Sequence, residues 1–265
     1  MSSLNTLVKE EHLCIISDLH LGNPSFVQGE NLDSFLEYLS KNDSSLCING
    51  DGIDLVQLSI PKLTVDIHSI LGGMKHFFAH GKKKIYYVIG NHDIYMEAFL
   101  EDSGIFEVVP FLDVISGDRR IHIEHGHLYD NLFINFPRVY IQVAKLLGLW
   151  VKISPRFFDL WFKIPDFWSA LKNRIILGLP NPPLDSIAFM RAAKEFFERG
   201  FDMVIFGHSH HSGIQDLWGE KKYANAGSWA DKKVHYLTID EGEIKLVEWL
   251  FRSEMEMGYR KISKC

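Results

Sequence analysis

Five short clusters of aspartate, histidine and asparagine could do chemistry. They read Ser17-Asp18-Leu19-His20, Gly50-Asp51-Gly52-Ile53-Asp54, Gly90-Asn91-His92-Asp93, His125-Gly126-His127 and Gly207-His208-Ser209-His210. Carboxylate, amide and imidazole donors mixed in this way suit manganese, iron, zinc or cobalt better than calcium. The set is too large for one tetrahedral ion. Two ions a few ångströms apart need a shared carboxylate, and Asp51 could supply it.

Each cluster follows an apolar run of strand length. The runs cover residues 12–17, 44–49, 84–89, 119–124 and 203–206. In open α/β sheets, sites gather beyond the carboxyl ends of the strands, and glycine lets the backbone turn sharply there. Helical spacing covers residues 31–40, with Leu32, Phe35, Leu36 and Leu39 on one face, and residues 65–79, ahead of Gly81. Residues 95–100 also read as helical. A further helix is expected over 185–199, with Asp185 as N-cap and Gly200 past its end. Strands are expected at 222–225, 234–239 and 244–249. Strand–helix alternation followed by a strand-rich end predicts an α/β fold of stacked sheets covered by helices.

Residues 128–183 break this rhythm. They hold Trp150, Trp161 and Trp168 and prolines at 137, 155, 165, 180, 182 and 183, which predicts short helices punctuated by proline. The expected organisation is one domain over residues 1–265 carrying a helical, aromatic-rich insertion at 128–183.

The chain has 265 residues, 46% hydrophobic and 23% charged, with a net charge of -6. No basic run stands out, so no nucleic-acid partner is expected. Cys14 and Cys47 sit in apolar runs and read as buried thiols, and with Cys265 the odd count suits a reducing compartment. The polar MSSLNTLVKEE start lacks an apolar signal core, and no stretch of about twenty apolar residues occurs. The expected location is the cytoplasm.

The order SDLH, GDGID, GNHD, HGH, GHSH over residues 15–229 resembles the calcineurin-like metallophosphoesterases. The resemblance implies a four-layer α/β/β/α sandwich and two divalent ions, with manganese favoured and iron, zinc or cobalt as alternatives. It places Asp18, His20 and His210 on one ion, Asn91, His125 and His208 on the other, and Asp51 between them. His92 would not bind metal but would contact the phosphoryl group and stabilise the leaving oxygen. Asp54 and Asp93 are both candidates to orient it. Hydroxide formed at the ions would attack phosphorus in line with the leaving oxygen.

A narrower resemblance is to the subgroup that hydrolyses UDP-2,3-diacylglucosamine to UMP and lipid phosphate. It rests on EHGHLYD at 124–130, which resembles H-G-D-x-x-D, on the apolar segment after it, and on NAGSW at 225–229. His127 stands where much of the subgroup has aspartate, and His92 where its best-known members have arginine. Two roles stay open for the insertion. It could be a lid for acyl chains, with Lys145, Lys152, Arg156, Lys163, Lys172 and Arg174 facing anionic groups and the protein resting on the inner membrane surface. It could equally be a cap packed on the domain or on a second subunit. His127 could orient a ligand or face solvent. His211 reads as a bystander, and His12, His68, His76, His80, His122 and His235 as surface or satisfied core groups. The rival functions are a general phosphodiesterase or protein phosphatase, and a metal-binding scaffold without catalysis. The presence of every ligand position counts against the scaffold.

Overall fold

The apolar runs ahead of the clusters become strands buried on both faces. In His12–Ile16 (β2), Leu13 and Ile15 face one core while Cys14 and Ile16 face another. The same alternation recurs in Ser45–Asn49 (β3), where Cys47 is opposed to Leu46 and Ile48, and in Ile85–Val88 (β4). A period of two puts neighbouring side chains on opposite faces, so a run buried on both sides must be apolar throughout. The computed structural model describes residues 7–23, 29–42, 44–56, 59–65, 77, 83–99, 101–102, 107–130, 184–231 and 233–250.

The strands form two sheets. Those not yet introduced are Leu7–Lys9 (β1), Glu101–Asp102 (β5), Glu107–Val109 (β6), Leu112–Ser116 (β7), Arg119–Ile123 (β8), Met203–Phe206 (β9), Gly213–Leu217 (β10), Lys221–Asn225 (β11), Val234–Asp240 (β12) and Glu243–Trp249 (β13). One sheet runs β13-β12-β2-β3-β4-β6-β5 and the other β1-β7-β8-β9-β11-β10. Parallel pairing joins β2, β3, β4 and β6 in the first sheet, and β8, β9 and β11 in the second.

The sheets bury their inner faces on each other, through Leu13, Ile15 and Val88 from one and Ile121, Ile123 and Ile205 from the other. Helix Gly29–Ser40 (α1) covers the outer face of the first sheet with Leu32, Phe35, Leu36 and Leu39. Helix Ile187–Glu198 (α2) covers the outer face of the second with Phe189, Met190, Ala193 and Phe196. The layers are therefore α/β/β/α, as the sequence predicts.

Several details differ from expectation. The N-cap of α2 is Ser186, because the Asp185 carboxylate is taken by Tyr223 and Asn225. Ile94–Phe99 is a 3-10 helix. Strands β1, β5, β6, β7 and β10 carry no expectation from sequence. Residues 66–76 and 78–79 of the expected 65–79 helix, and residues 131–183 of the insertion, lie outside the described residues. Cys14 and Cys47 are buried, and burial pushes the Cys14 thiol up to about 12. Among the described residues, no helix is long and apolar enough to cross a membrane.

Candidate metal centre

The clusters converge at the carboxyl ends of strands from both sheets. Asp18 and His20 follow β2, Asp51 follows β3 and Asn91 follows β4; His125 follows β8, and His208 and His210 follow β9. The loops after β2 and β3 are laced together: Asp18 N–H donates to Gly50 O at 3.1 Å, and His20 N–H to Asp51 O at 2.8 Å. Five of these residues have left-handed backbones, with φ of 54° at Asp18, 50° at His20, 51° at Asp51, 65° at His208 and 62° at His210. That region is uncommon for residues with a side chain, and such departures concentrate at functional sites.

Glycine is required beside them by close approach. A β-carbon on Gly50, where φ is 79°, would collide with the His125 ring. One on Gly90 would collide with the Asp51 carboxylate.

Donor atoms gather into groups that could each hold an ion: Asp18, His20 and His210 in one, and Asp51, His125 and His208 in another, with atoms within 4.8 Å of one another. His20, Asp51 and His92 form a third such group, so Asp51 lies within reach of both halves. Asp18 Oδ1 is 3.2 Å from His210 Nε2, and Asp51 Oδ2 is 3.3 Å from His125 Nε2.

These residues fit a pair of divalent cations. Asp18 Oδ1, His20 Nδ1, Asn91 Oδ1 and His125 Nε2 are buried with no hydrogen-bond partner. An orphaned buried polar group costs about 1–3 kcal/mol, and a cation removes that cost. His125 Nδ1 donates to Asn49 O at 2.8 Å, which leaves the Nε2 lone pair facing the site.

The electrostatics belong to a nest of opposed charges. Burial works against ionisation of Asp18, but His210 and His125 outweigh it and hold the carboxyl well below its usual range. Burial likewise opposes protonation of His125, yet Asp51 and Asp18 push it up to about 10. His127 is drawn down to about 3 by burial and by the neighbouring His125. Its side chain is buried beside His125, with ring centroids 5.6 Å apart, so it does not face solvent.

The two candidates for orienting His92 divide. Asp54 Oδ1 accepts from His92 Nδ1 at 3.0 Å, while its Oδ2 accepts from Asn23 Nδ2 at 2.7 Å. Burial opposes a charge on His92, but Asp51 and the Asp54 hydrogen bond raise it to about 9. With Nδ1 held by Asp54, His92 has only Nε2 to offer a substrate. Asp93 faces elsewhere, accepting from Gly52 N–H at 2.8 Å, Gly90 N–H at 2.6 Å and Tyr87 O–H at 2.5 Å. It holds the loops after β3 and β4 together. Sequence inspection missed Asn23 and Tyr87, and it noted Asp130 only as the end of EHGHLYD; the Asp130 carboxylate is 3.1 Å from His208 Nε2. It also passed over His211, whose Nδ1 is 3.5 Å from buried Asp185.

The model of the family described as "Calcineurin-like phosphoesterase" matches residues 12–212 of this chain. The chain belongs to the calcineurin-like phosphoesterase family. Membership brings metal-dependent phosphoester hydrolysis as the general chemistry of the site, and a dinuclear divalent centre as the use of its clustered donors. Solved structures also resemble it at low identity. A predicted phosphoesterase from Streptococcus pneumoniae TIGR4 is 16% identical, with 90% of this chain and 88% of that chain covered and a TM-score of 0.38. Vps29 from Entamoeba histolytica, complexed with zinc, is 14% identical over 94% and 96%, with a TM-score of 0.44. A dimetal phosphatase from Danio rerio is 11% identical over 89% and 95%, with a TM-score of 0.47. No curated protein matches the chain.

Proposed function

We propose that this phosphoesterase hydrolyses the pyrophosphate of a nucleotide-linked acylated sugar of the UDP-2,3-diacylglucosamine type, giving UMP and a lipid phosphate. The observation that carries the hydrolase half is the group Asp18, His20 and His210 beside the group Asp51, His125 and His208 at the seam of two sheets, with Asp51 also within reach of His20. The substrate half is supported by EHGHLYD and NAGSW and by the aromatic composition of 131–183.

Two bound divalent ions, manganese by preference, would supply Lewis acidity and a water acidic enough to deprotonate near neutral pH. Asp18, His20 and His210 would hold one, Asn91, His125 and His208 the other, and Asp51 both. One water is consumed: its oxygen bonds to phosphorus and the P–O bond to the departing phosphate breaks. His92, anchored through Nδ1 by Asp54, presents Nε2–H to the oxygen on which charge develops. Asn23 fixes the other oxygen of Asp54, so the imidazole is held by a chain of hydrogen bonds.

The protein would work in the cytoplasm, resting on the inner membrane surface through the insertion. The test is turnover of the manganese-loaded protein on UDP-diacylglucosamine beside a generic aryl phosphodiester. Preferential release of UMP supports the proposal, whereas turnover of the diester alone favours a general phosphodiesterase. Polar replacement of Trp150, Trp161 and Trp168 should harm the lipid substrate and spare the soluble one. Equal loss on both would favour a structural cap.

A further inference from the structure

We infer that Asp130 is the positioning residue for His208, and through it for one of the two ion positions. This rests on the dinuclear centre proposed above and adds a residue to which no role has been given.

The local chain delivers Asp130 to that place. Gly126 has φ of 94°, and a β-carbon there would come within 2.9 Å of the Phe189 ring and 3.3 Å of Phe206. Only glycine lets the chain leave β8 this close to α2 and β9. The next three residues, His127–Tyr129, form a 3-10 turn, closed by Tyr129 N–H on Gly126 O at 2.9 Å and Asp130 N–H on His127 O at 3.2 Å. Tyr129 is pinned by its ring on Phe206, with centroids 5.2 Å apart, and by its hydroxyl on Glu124 at 3.0 Å. The turn therefore ends with the Asp130 carboxylate over His208.

His208 is held by further contacts. Its backbone is left-handed, and its N–H donates to Asp18 Oδ2 at 3.2 Å. Its ring lies parallel to Phe189, with centroids 6.3 Å apart, and edge-on to His125 at 5.3 Å. Its Nε2 meets Asp130 Oδ2 at 3.1 Å. A carboxylate at that nitrogen keeps the proton on Nε2 and leaves the Nδ1 lone pair for an ion. Asp130 joins none of the donor groups found among the described residues, and its contact with the centre is to the His208 ring. His125 is oriented in the parallel way by the Asn49 carbonyl, a neutral acceptor. The two imidazoles of this position thus have partners of different charge.

The test is metal binding, read by calorimetry with Mn²⁺ and by the visible spectrum of the Co²⁺ protein. It compares the wild type with Asp130→Ala, Asp130→Asn and His208→Ala. Asp130→Ala should retain one ion at wild-type affinity and bind the other on the order of 10–100-fold more weakly. Its Co²⁺ spectrum should move toward that of His208→Ala. Asp130→Asn keeps an oxygen acceptor without the charge, so it should fall between Asp130→Ala and the wild type, and it carries the test if the alanine variant does not fold. Two ions bound with wild-type affinity by both Asp130 variants would overturn the inference and leave the proposed function standing, even if the metal-free variants melt earlier. A wild-type protein that takes up fewer than two ions would overturn both.

Discussion

Asp51 is the residue on which both proposed ion positions depend. One of its oxygens accepts the His92 backbone N–H and the other faces His125 Nε2. Asp51→Ala should lose bound metal and turnover together, measured by metal analysis and a phosphodiester assay; a variant with full turnover would refute the shared role. His92→Ala should keep both ions and lose about 10²-fold in turnover, as expected for one donor to the transition state. Unchanged turnover would remove His92 from the chemistry. The clusters are legible in sequence because an apolar run precedes each and glycine lies within four of the five. The division of labour between Asp54 and Asp93 is not. Both lie within a few residues of a ligand, and only the fold sends one to an imidazole and the other to Gly52, Gly90 and Tyr87.

At the scale of elements, strands buried on both faces announce themselves by continuous apolar runs. Those with one open or polar face do not. Strand β7, Leu112–Ser116, alternates buried and half-buried positions and pairs with β8 across a Gly117-Asp118 turn. The two-residue glycine–aspartate turn between the strands is the signal that could have found it. Strand β10, Gly213–Leu217, is an edge with one buried side chain, and its sequence shows no alternation. Strand β8 hides a polar surprise. His122 points away from the inter-sheet core to α2, stacks on Phe196 at 3.8 Å, and is held by Asp113 at 2.7 Å and Glu124 at 3.1 Å. Burial opposes its charge, but the hydrogen bonds to these two carboxylates raise its pKa above the unfolded value. Its contribution to stability is therefore complete below about pH 6.5 and lost as pH rises through the folded value. Urea unfolding across that range should show the decline in the wild type and a flatter profile in His122→Gln. Identical profiles would show that folding does not raise the His122 pKa.

At the scale of the whole molecule, the centre costs stability until it is filled. It combines five left-handed donor residues, four buried polar atoms without hydrogen-bond partners and two buried carboxylates that both face His125. If divalent metal is held by these folded donors and not by the unfolded chain, excess Mn²⁺ should raise the melting temperature and chelation should lower it, by roughly 2.7 kcal/mol of stability at a hundredfold excess over Kd. A melting temperature indifferent to metal would contradict the donor assignment. The layered architecture itself was legible from strand–helix alternation. The order of strands within each sheet was not, because β12 and β13 return from the end of the chain to pair beside β2, and no local pattern specifies so distant a partner.

The ligands divide between the sheets. Asp18, His20, Asp51 and Asn91 ride on one, and His125, His208 and His210 on the other. Neither sheet alone carries the full proposed set for either ion, so both positions are completed only after the two have docked. A species with one sheet formed gains less from metal than the docked pair, and so does a transition state in which the layers have yet to meet. Metal should then act as a brake on the reverse reaction: stopped-flow traces should show slower unfolding with Mn²⁺ and an unaltered refolding rate. Faster refolding would place the docking of the layers before the barrier.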